Sequence, residues 1–468
     1  MITHSMKQLR TVQLHPTITF TRLFLTMVVF FSVLSLSASI LLSFMTNNQE
    51  GYTSFSALVD TNSASAKNEL KIGSNLPFES CRSLLNFKEK LLCVVQIIKE
   101  GREDDDSYPL YSVSLLDSLP GDGKCSVYAV NEKNQATGWC MNTQGHVRAV
   151  IWDDGRVKNL GLPRNELALG TIGYSINEQG DVVGHSQKRT EPILHAMTYI
   201  KGTMKAFRPF TFVEGDSVAR DINEHNQIVG GGLLKIVDVE DLDEGFDEKK
   251  NIQHAFFFDN SSLGRGVVQD LGASDEMTSS YAYDLNNRGQ IVGFTEVNID
   301  DIYVRRATFW TENNHEMVIF DRREAISAMS EAFAINELNP PQVVGSMLVN
   351  QGGPYVSHGF LWQGDQMIDL ETYGQCLISF ANDISNNGLI VGIAYGYPCG
   401  EVPEEYKAVL WILNQNDFLV TDLNQLIQDD DWRLSVPVAV NDAHVIVGNG
   451  YYQGQLRPFM LIPNNQNQ

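Results

Sequence analysis

Three aspartates at equivalent places in a repeated sequence are the residues best suited to do chemistry. Asp221, Asp284 and Asp383 each lie two positions before the residue that opens a turn, Asn223, Asn286 and Ser385. Converging carboxylates can hold a cation such as calcium. Held about 5 to 9.5 Å apart in a cleft, they can act as acid and base in glycoside hydrolysis. The plainer role for an aspartate beside a turn is to cap it, or to accept hydrogen bonds from a neighbouring backbone. The other four copies carry Ala129, Ser175, Ala334 and Ala439 at this position, so at most three acids can meet there. Four of the ten histidines, His146, His195, His254 and His358, open or precede equivalent strands. A ring of repeats holds equivalent positions apart, which favours structural use over a shared metal. Asp238, Glu240, Asp241, Asp243, Glu244, Asp247 and Glu248 crowd an insert between Gly232 and Asn251. Their order fits no EF-hand loop, and dense like charges without a template read as a solvated loop.

These residues must be positioned by a repeat. Seven copies align: YAVNEKNQATG ending at Gly138, YSINEQGDVVG at Gly184, RDINEHNQIVG at Gly230, YDLNNRGQIVG at Gly293, FAINELNPPQVVG at Gly345, NDISNNGLIVG at Gly392 and VAVNDAHVIVG at Gly448. In each, an alternating strand runs into an Asn (Ser385 in the sixth), turn-forming residues follow, and a second strand ends in Gly. Asn and Ser bond turn backbone with their own side chains, and Gly accepts positive φ or close backbone approach. A second hairpin follows, opening with RAVIW, HAMTY, HAFFF, RATFW, HGFLW, KAVLW or RPFML. Two hairpins make a four-stranded unit of the size of a propeller blade. The seventh copy lacks its return strand, and YSVSLLDSLPG at 111–121 resembles the missing piece. An N-terminal strand completing the last blade closes the ring and removes the free edges of an open array. The expected fold is therefore an all-β, seven-bladed propeller over 108–463, where a straight solenoid would require capping units.

The alternation of (A/S)-x-x-(I/V)-N-x-x-G-x-(I/V)-V-G with HAF-x-W and D-L-G resembles the HAF repeat, a family of bacterial extracellular proteins of uncharacterised function. The resemblance covers 108–463 and implies export and a propeller-like β fold. It carries over no catalytic residues. Ser385, the pair Pro340 and Pro341, and Pro458 depart from the pattern.

Cysteine placement agrees with the hairpins. Cys125 and Cys140 flank the first one as opposed residues, and the same register in the sixth copy brings Cys376 and Cys399 close to opposition. Both pairs are expected as disulfides, since export favours oxidation. Cys81 and Cys93 remain, either bonded across a break in the helix that carries them or present as free or intermolecular thiols.

The N-terminus sets the address. Residues 1–22 form a leader with Lys7, Arg10 and Arg22, and 23–45 hold no charge over a length that crosses a bilayer. The positive-inside rule places the leader in the cytoplasm and the propeller in the periplasm or outside, as a single N-terminal membrane segment. Cleavage near Ser37-Ala38-Ser39 would release the chain as a secreted protein. Residues 46–78 read as a spacer, 79–100 as an amphipathic helix and 464–468 as a tail.

With 34 Lys and Arg against 57 acids and a net charge of -23, nucleic acid is not an expected partner. Neither G-x-S-x-G, H-E-x-x-H, a P-loop, G-x-G-x-x-G nor a sialidase Asp box is present. This lowers the expectation of an enzyme without removing it, because propeller sites are assembled from separate blades. The leading expectation is a binding or scaffolding module of a bacterial cell envelope, directed at a protein or glycan. No cofactor is required, and calcium is the one candidate ion. The alternative is a polysaccharide hydrolase or lyase using Asp221, Asp284 and Asp383.

Overall fold

The short strand before each motif Asn ends where that side chain takes over the backbone. Asn131 Oδ1 accepts from the N–H groups of Lys133 and Gln135 at 3.1 and 2.9 Å, and Asn177, Asn223 and Asn286 repeat the pattern. One oxygen thus fixes a tight turn and lets the next strand fold back antiparallel. The computed structural model describes residues 87–99 and 110–464, apart from 122, 241–246, 261–265, 322, 324–328, 351–353, 397–398, 400–405 and 415–416.

Seven four-stranded sheets follow. The first described strand, β1 (Tyr111–Leu115), belongs to the last of them. Blade one is β2 (Cys125–Val130), β3 (Ala136–Met141), β4 (Val147–Asp153) and β5 (Arg156–Asn159). Blade two is β6 (Ala168–Ile176), β7 (Val182–Lys188), β8 (Leu194–Ile200) and β9 (Thr203–Phe207). Blade three is β10 (Ser217–Ile222), β11 (Gln227–Glu240), β12 (Asp247–Asp259) and β13 (Val267–Asp270). Blade four is β14 (Ser280–Leu285), β15 (Ile291–Ile299), β16 (Ile302–Trp310) and β17 (Met317–Ile319). Blade five is β18 (Ser330–Ile335), β19 (Val343–Val349), β20 (Val356–Gln363) and β21 (Gln366–Asp369). Blade six is β22 (Ile378–Ile384), β23 (Leu389–Tyr395), β24 (Lys407–Asn414) and β25 (Asp417–Asp422). Blade seven is β26 (Trp432–Val440), β27 (Ile446–Tyr452) and β28 (Gln455–Pro463), with β1 as its outer strand, pairing Tyr111 with Pro463 through Leu115 with Phe459. Chain closure therefore uses the N-terminal strand expected from the truncated seventh copy.

Side chains tie each blade to the next. The residue after each motif Asn accepts a hydrogen bond from the equivalent backbone N–H of the preceding blade. The acceptors run Glu178, Glu224, Asn287, Glu337, Asn386 and Asp442, then Glu132 for Asp442 N–H, at 2.6 to 3.0 Å. This circle has no gap. Five motif asparagines add a bond from Nδ2 to a carbonyl of the next blade's motif residue, at 3.0 to 3.2 Å. Ser385 has no such amide. There Asn386 and Asn387 reach Asp442 instead, at 2.6 and 2.7 Å. Farther out, the N–H of Ala149, Ala196, Ala255, Ala307 and Gly359 donates to a Ser or Thr hydroxyl opening the next blade. Trp152, Trp310 and Trp411, all fully buried, place Nε1 on carbonyls of the preceding outer connections.

Helix α1 (Phe87–Lys99) inserts Leu91, Cys93, Val94 and Val95 into the core shared by blades six and seven. Lys88 reaches Asn387 O at 2.7 Å, and Phe87 stacks on His444. The expected helix over 79–100 is thus described from Phe87. Cys81 and the segments at 1–22, 23–45 and 46–78 lie outside the described residues. Among the described residues no helix is long and apolar enough to cross a membrane.

Cys125 and Cys140 are directly opposed and bonded, with Cα atoms 4.0 Å apart. Cys376 and Cys399 are bonded at 4.4 Å, just beyond the Ile378–Tyr395 pair that ends their ladder. Cys93 is disulfide-bonded as well. The acidic insert corrects the sequence reading. In place of a loop, the β11–β12 ladder continues to Glu240 opposite Asp247, with Asp238 in register with Lys249. The β-branched Ile236, Val237 and Val239 favour a strand there, and residues 241–246 lie outside the described residues.

The motif glycines serve close approach and not positive φ, since none of the seven lies in the left-handed region. A Cβ on Gly293 would stand 1.9 Å from the carbonyl oxygen of Tyr281. Gly293→Ala is expected to lower stability by about 3 kcal/mol, the upper range for overpacking, read as a shift in the denaturant midpoint. Wild-type stability in that variant would contradict the packing.

Candidate functional site

A β-bulge interrupts the innermost strand of every blade three residues before its motif Asn or Ser. The skipped residues are Tyr128, Tyr174, Arg220, Tyr283, Phe333, Asn382 and Val438. In a regular strand neighbouring side chains point to opposite faces. A bulge re-aims one of them, so two successive positions meet their counterparts from adjacent blades. The innermost strands contact one another round the whole ring, so these positions make two layers about its axis.

The layer nearer the turns holds the aspartates. Ser175 donates to Asp221 Oδ1 at 2.5 Å, and Asp221 Oδ2 accepts from Leu285 N–H at 3.0 Å. Asp284 accepts from its own neighbour Leu285 at 3.0 Å and from Ile335 of the next blade at 2.7 Å. Asp383 does the same with Ile384 and Val440, both at 2.8 Å. Each carboxylate therefore bridges two blades. Asp221 and Asp284 both accept from the Leu285 N–H. Burial, then the charge of Asp221, raises Asp284 well above the usual carboxylate range, against the pull of Ile335 N–H. Burial likewise pushes Asp383 to about 7, offset in part by the Val440 and Ile384 amides. With their oxygens spent on N–H donors these acids fit a cation poorly, and no three acidic, His or Cys groups among the described residues are placed to hold a metal.

The second layer is aromatic and carries one cation. The Tyr128 and Tyr174 rings lie 5.2 Å apart, and the Arg220 guanidinium sits 4.5 Å from the Tyr174 ring and 5.7 Å from Tyr283. Tyr283 contacts Tyr281 and Phe333 at 5.2 and 5.7 Å. Behind Tyr174 stands His185, 5.5 Å away, whose pKa burial and Arg220 lower to about 4. Tyr283 also donates to Glu331, which pairs with Arg305 at 2.8 Å.

No family model and no curated protein sequence matches the chain. Among solved structures it is similar to the β-propeller domain of the Trilobed protease from Pyrococcus furiosus, at 10% identity and a TM-score of 0.43, covering 77% of this chain and 96% of that one. A puromycin-hydrolysing peptidase of Mycobacterium tuberculosis matches at 11% and 0.36, over 72% of this chain and 52% of that one. A gluconolactonase of Xanthomonas campestris matches at 8% and 0.33, over 77% and 93%.

Three of the four aligned histidines pair with a nearby carboxylate and do not converge. His254 pairs with Asp270 at 2.8 Å, His358 with Asp369 at 2.9 Å, and His195 with Glu166. Each pins the third strand of its blade to a carboxylate of the same blade, with Arg306 and Asp321 equivalent in blade four. Sequence reasoning passed over Tyr174, Arg220, Tyr281 and Tyr283. The signal was available three residues before each motif Asn or Ser, where Tyr128, Tyr174, Arg220, Tyr283 and Phe333 stand, but without the bulge that position is assigned to the opposite face.

Because folding raises the pKa of Asp383, the folded chain keeps a proton that the unfolded chain releases above about pH 4. Its contribution is largest at low pH and is lost as pH rises toward 7. Asp383→Asn cannot ionise. The difference in melting temperature between variant and wild type should move in the variant's favour from pH 5 to pH 8; a difference independent of pH would contradict the buried, protonated state.

Proposed function

We propose that this chain is an extracytoplasmic binding module of a bacterial cell envelope, which captures a glycan or protein at the axial face that carries the arginine–tyrosine layer. The observation that carries the reading is Arg220: it has no ion-pair partner among the described residues and lies half-buried against tyrosine rings. A guanidinium held by tyrosine faces and by no carboxylate keeps its charge and its N–H fork available to an anionic ligand.

The strand order supports the choice of face. The chain runs toward the motif turns along each inner strand, so the bulge layer faces the opposite end, where second-to-third-strand hairpins and interblade loops lie. On those connections stand Leu167, Phe212, Ile302, Tyr303, Tyr355 and Leu377, exposed by 39 to 86%. A rim of apolar side chains around a polar centre is characteristic of binding surfaces. Export is supported by the uncharged 23–45 segment after a basic leader and by the paired cysteines.

The hydrolase reading is less well supported. Asp221 and Asp284 spend oxygens on the same Leu285 N–H, so they do not face each other across an open cleft as flanking glycosidase carboxylates do. Asp383 uses both oxygens on backbone amides.

A photoactivatable residue in place of Phe333 in intact cells is expected to give a discrete adduct, and one in place of Ile368 on an outer strand none. Adding Arg220→Ala should cut the Phe333 adduct at least tenfold. Equal adducts from both positions, or polysaccharide turnover abolished by Asp284→Asn, would overturn the assignment.

A further inference from the structure

Arg220 differs from Arg305 of blade four. Arg305 also lies against an aromatic ring, 4.3 Å from Phe294, but its guanidinium is neutralised by Glu331. Arg220 is flanked by Tyr174 and Tyr283 and has no carboxylate partner among the described residues. The neighbouring acids of the aspartate layer are already engaged: Asp221 bonds Ser175 and Leu285, and Asp284 accepts from Leu285 and Ile335. The third wall is made by an omission. A Cβ on Gly231 would fall 2.2 Å from Tyr281 Cδ2, so glycine there is what lets the Tyr281 ring lie across from blade four, against Tyr283 at 5.2 Å. Tyr281 in turn stacks parallel to Phe294 at 6.3 Å.

We propose that Arg220, with Tyr174, Tyr281 and Tyr283, binds the carboxylate of an acidic sugar. This deepens the binding-module reading and rests on it. The guanidinium is a planar fork of five N–H donors, which matches a carboxylate through two parallel bonds. Aromatic faces stack on the C–H faces of a pyranose, and the layer continues beyond the cage through Tyr128 on one side and Phe333 on the other. Tyr174 and Tyr283 face the guanidinium and hold the fork in place, while Tyr128 and Phe333, each half-buried, are left to meet the sugar ring. The net charge of -23 repels densely charged chains such as polyphosphate, and one guanidinium neutralises one acid group. Tyr283, held by Glu331, and His185, packed on Tyr174 and neutral near pH 7, fix the cage before a ligand arrives.

Calorimetric titration of the intact chain with galacturonate, glucuronate, galactose, acetate and inorganic phosphate tests the assignment without any variant. One of the uronates is expected to bind at least tenfold more tightly than galactose, acetate or phosphate. In Arg220→Gln that preference should vanish with the melting temperature retained, and Arg220→Lys should restore only part of it. Galactose binding as tightly as the uronates sinks the acidic class while leaving a binding module standing. Acetate or phosphate binding as tightly shows a bare anion site and also overturns the proposal. So does the absence of uronate binding at millimolar concentration; if adducts still form from Phe333 in cells, the module survives and its ligand is of another class.

Discussion

Seven hydrogen bonds from turn N–H groups to side chains of the next blade's turn form a circle that returns to its start, Asp442 N–H closing on Glu132. Each bond is ordinary, worth about 1 kcal/mol net and more when the acceptor is charged. Their weight comes from closure. A blade that tilts breaks two of them and leaves polar groups stranded at an interior ring. The motif asparagines, buried to 5% exposure or less, add a second set at the same level. One residue type thus fixes both the shape of a hairpin and the angle between blades. Where Ser385 removes the amide, Asn386 and Asn387 take over the interblade contact, which shows that the constraint lies in the circle and not in a particular side chain.

The bulge follows from the same geometry. It forces the carbonyl of the inner strand over the motif glycine, leaving no room for a Cβ in any of the seven copies. It also gives the axis two layers of side chains. The layer nearer the turns spends its carboxylates on neighbouring amides and so belongs to the fold. The next layer is where chemistry differs from blade to blade: Tyr, Tyr, Arg, Tyr, Phe, Asn and Val around the ring. A repeat that fixes everything else leaves recognition to this layer and to the rim above it.

The architecture was legible in the chain because the repeat is read in period and register, both of which survive wide substitution. Blade count, the N-terminal closing strand and the Cys125–Cys140 and Cys376–Cys399 pairs all follow from counting. The aspartates were legible as a ring position, but whether Asp221 holds a ligand or Leu285 N–H depends on a distance across a blade boundary. Arg220 was hidden for a different reason. Strict alternation sends it away from the axis, and only the bulge, which has no residue signature of its own, turns it inward. The insert after Gly232 hides its strands because its acids outnumber Ile236, Val237 and Val239, the β-branched residues that carry the ladder on to Glu240.

Hydrogen exchange at the seven turn amides tests closure most directly. Backbone N–H groups in exposed turns exchange quickly, yet the account predicts that those of Glu132, Glu178, Glu224, Asn287, Glu337, Asn386 and Asp442 are protected together and lose protection together on unfolding. Rapid exchange at Asp442 and Glu132 while the other five stay protected would show a ring open between blades seven and one, and rapid exchange at all seven would show that the circle of side-chain acceptors does not form.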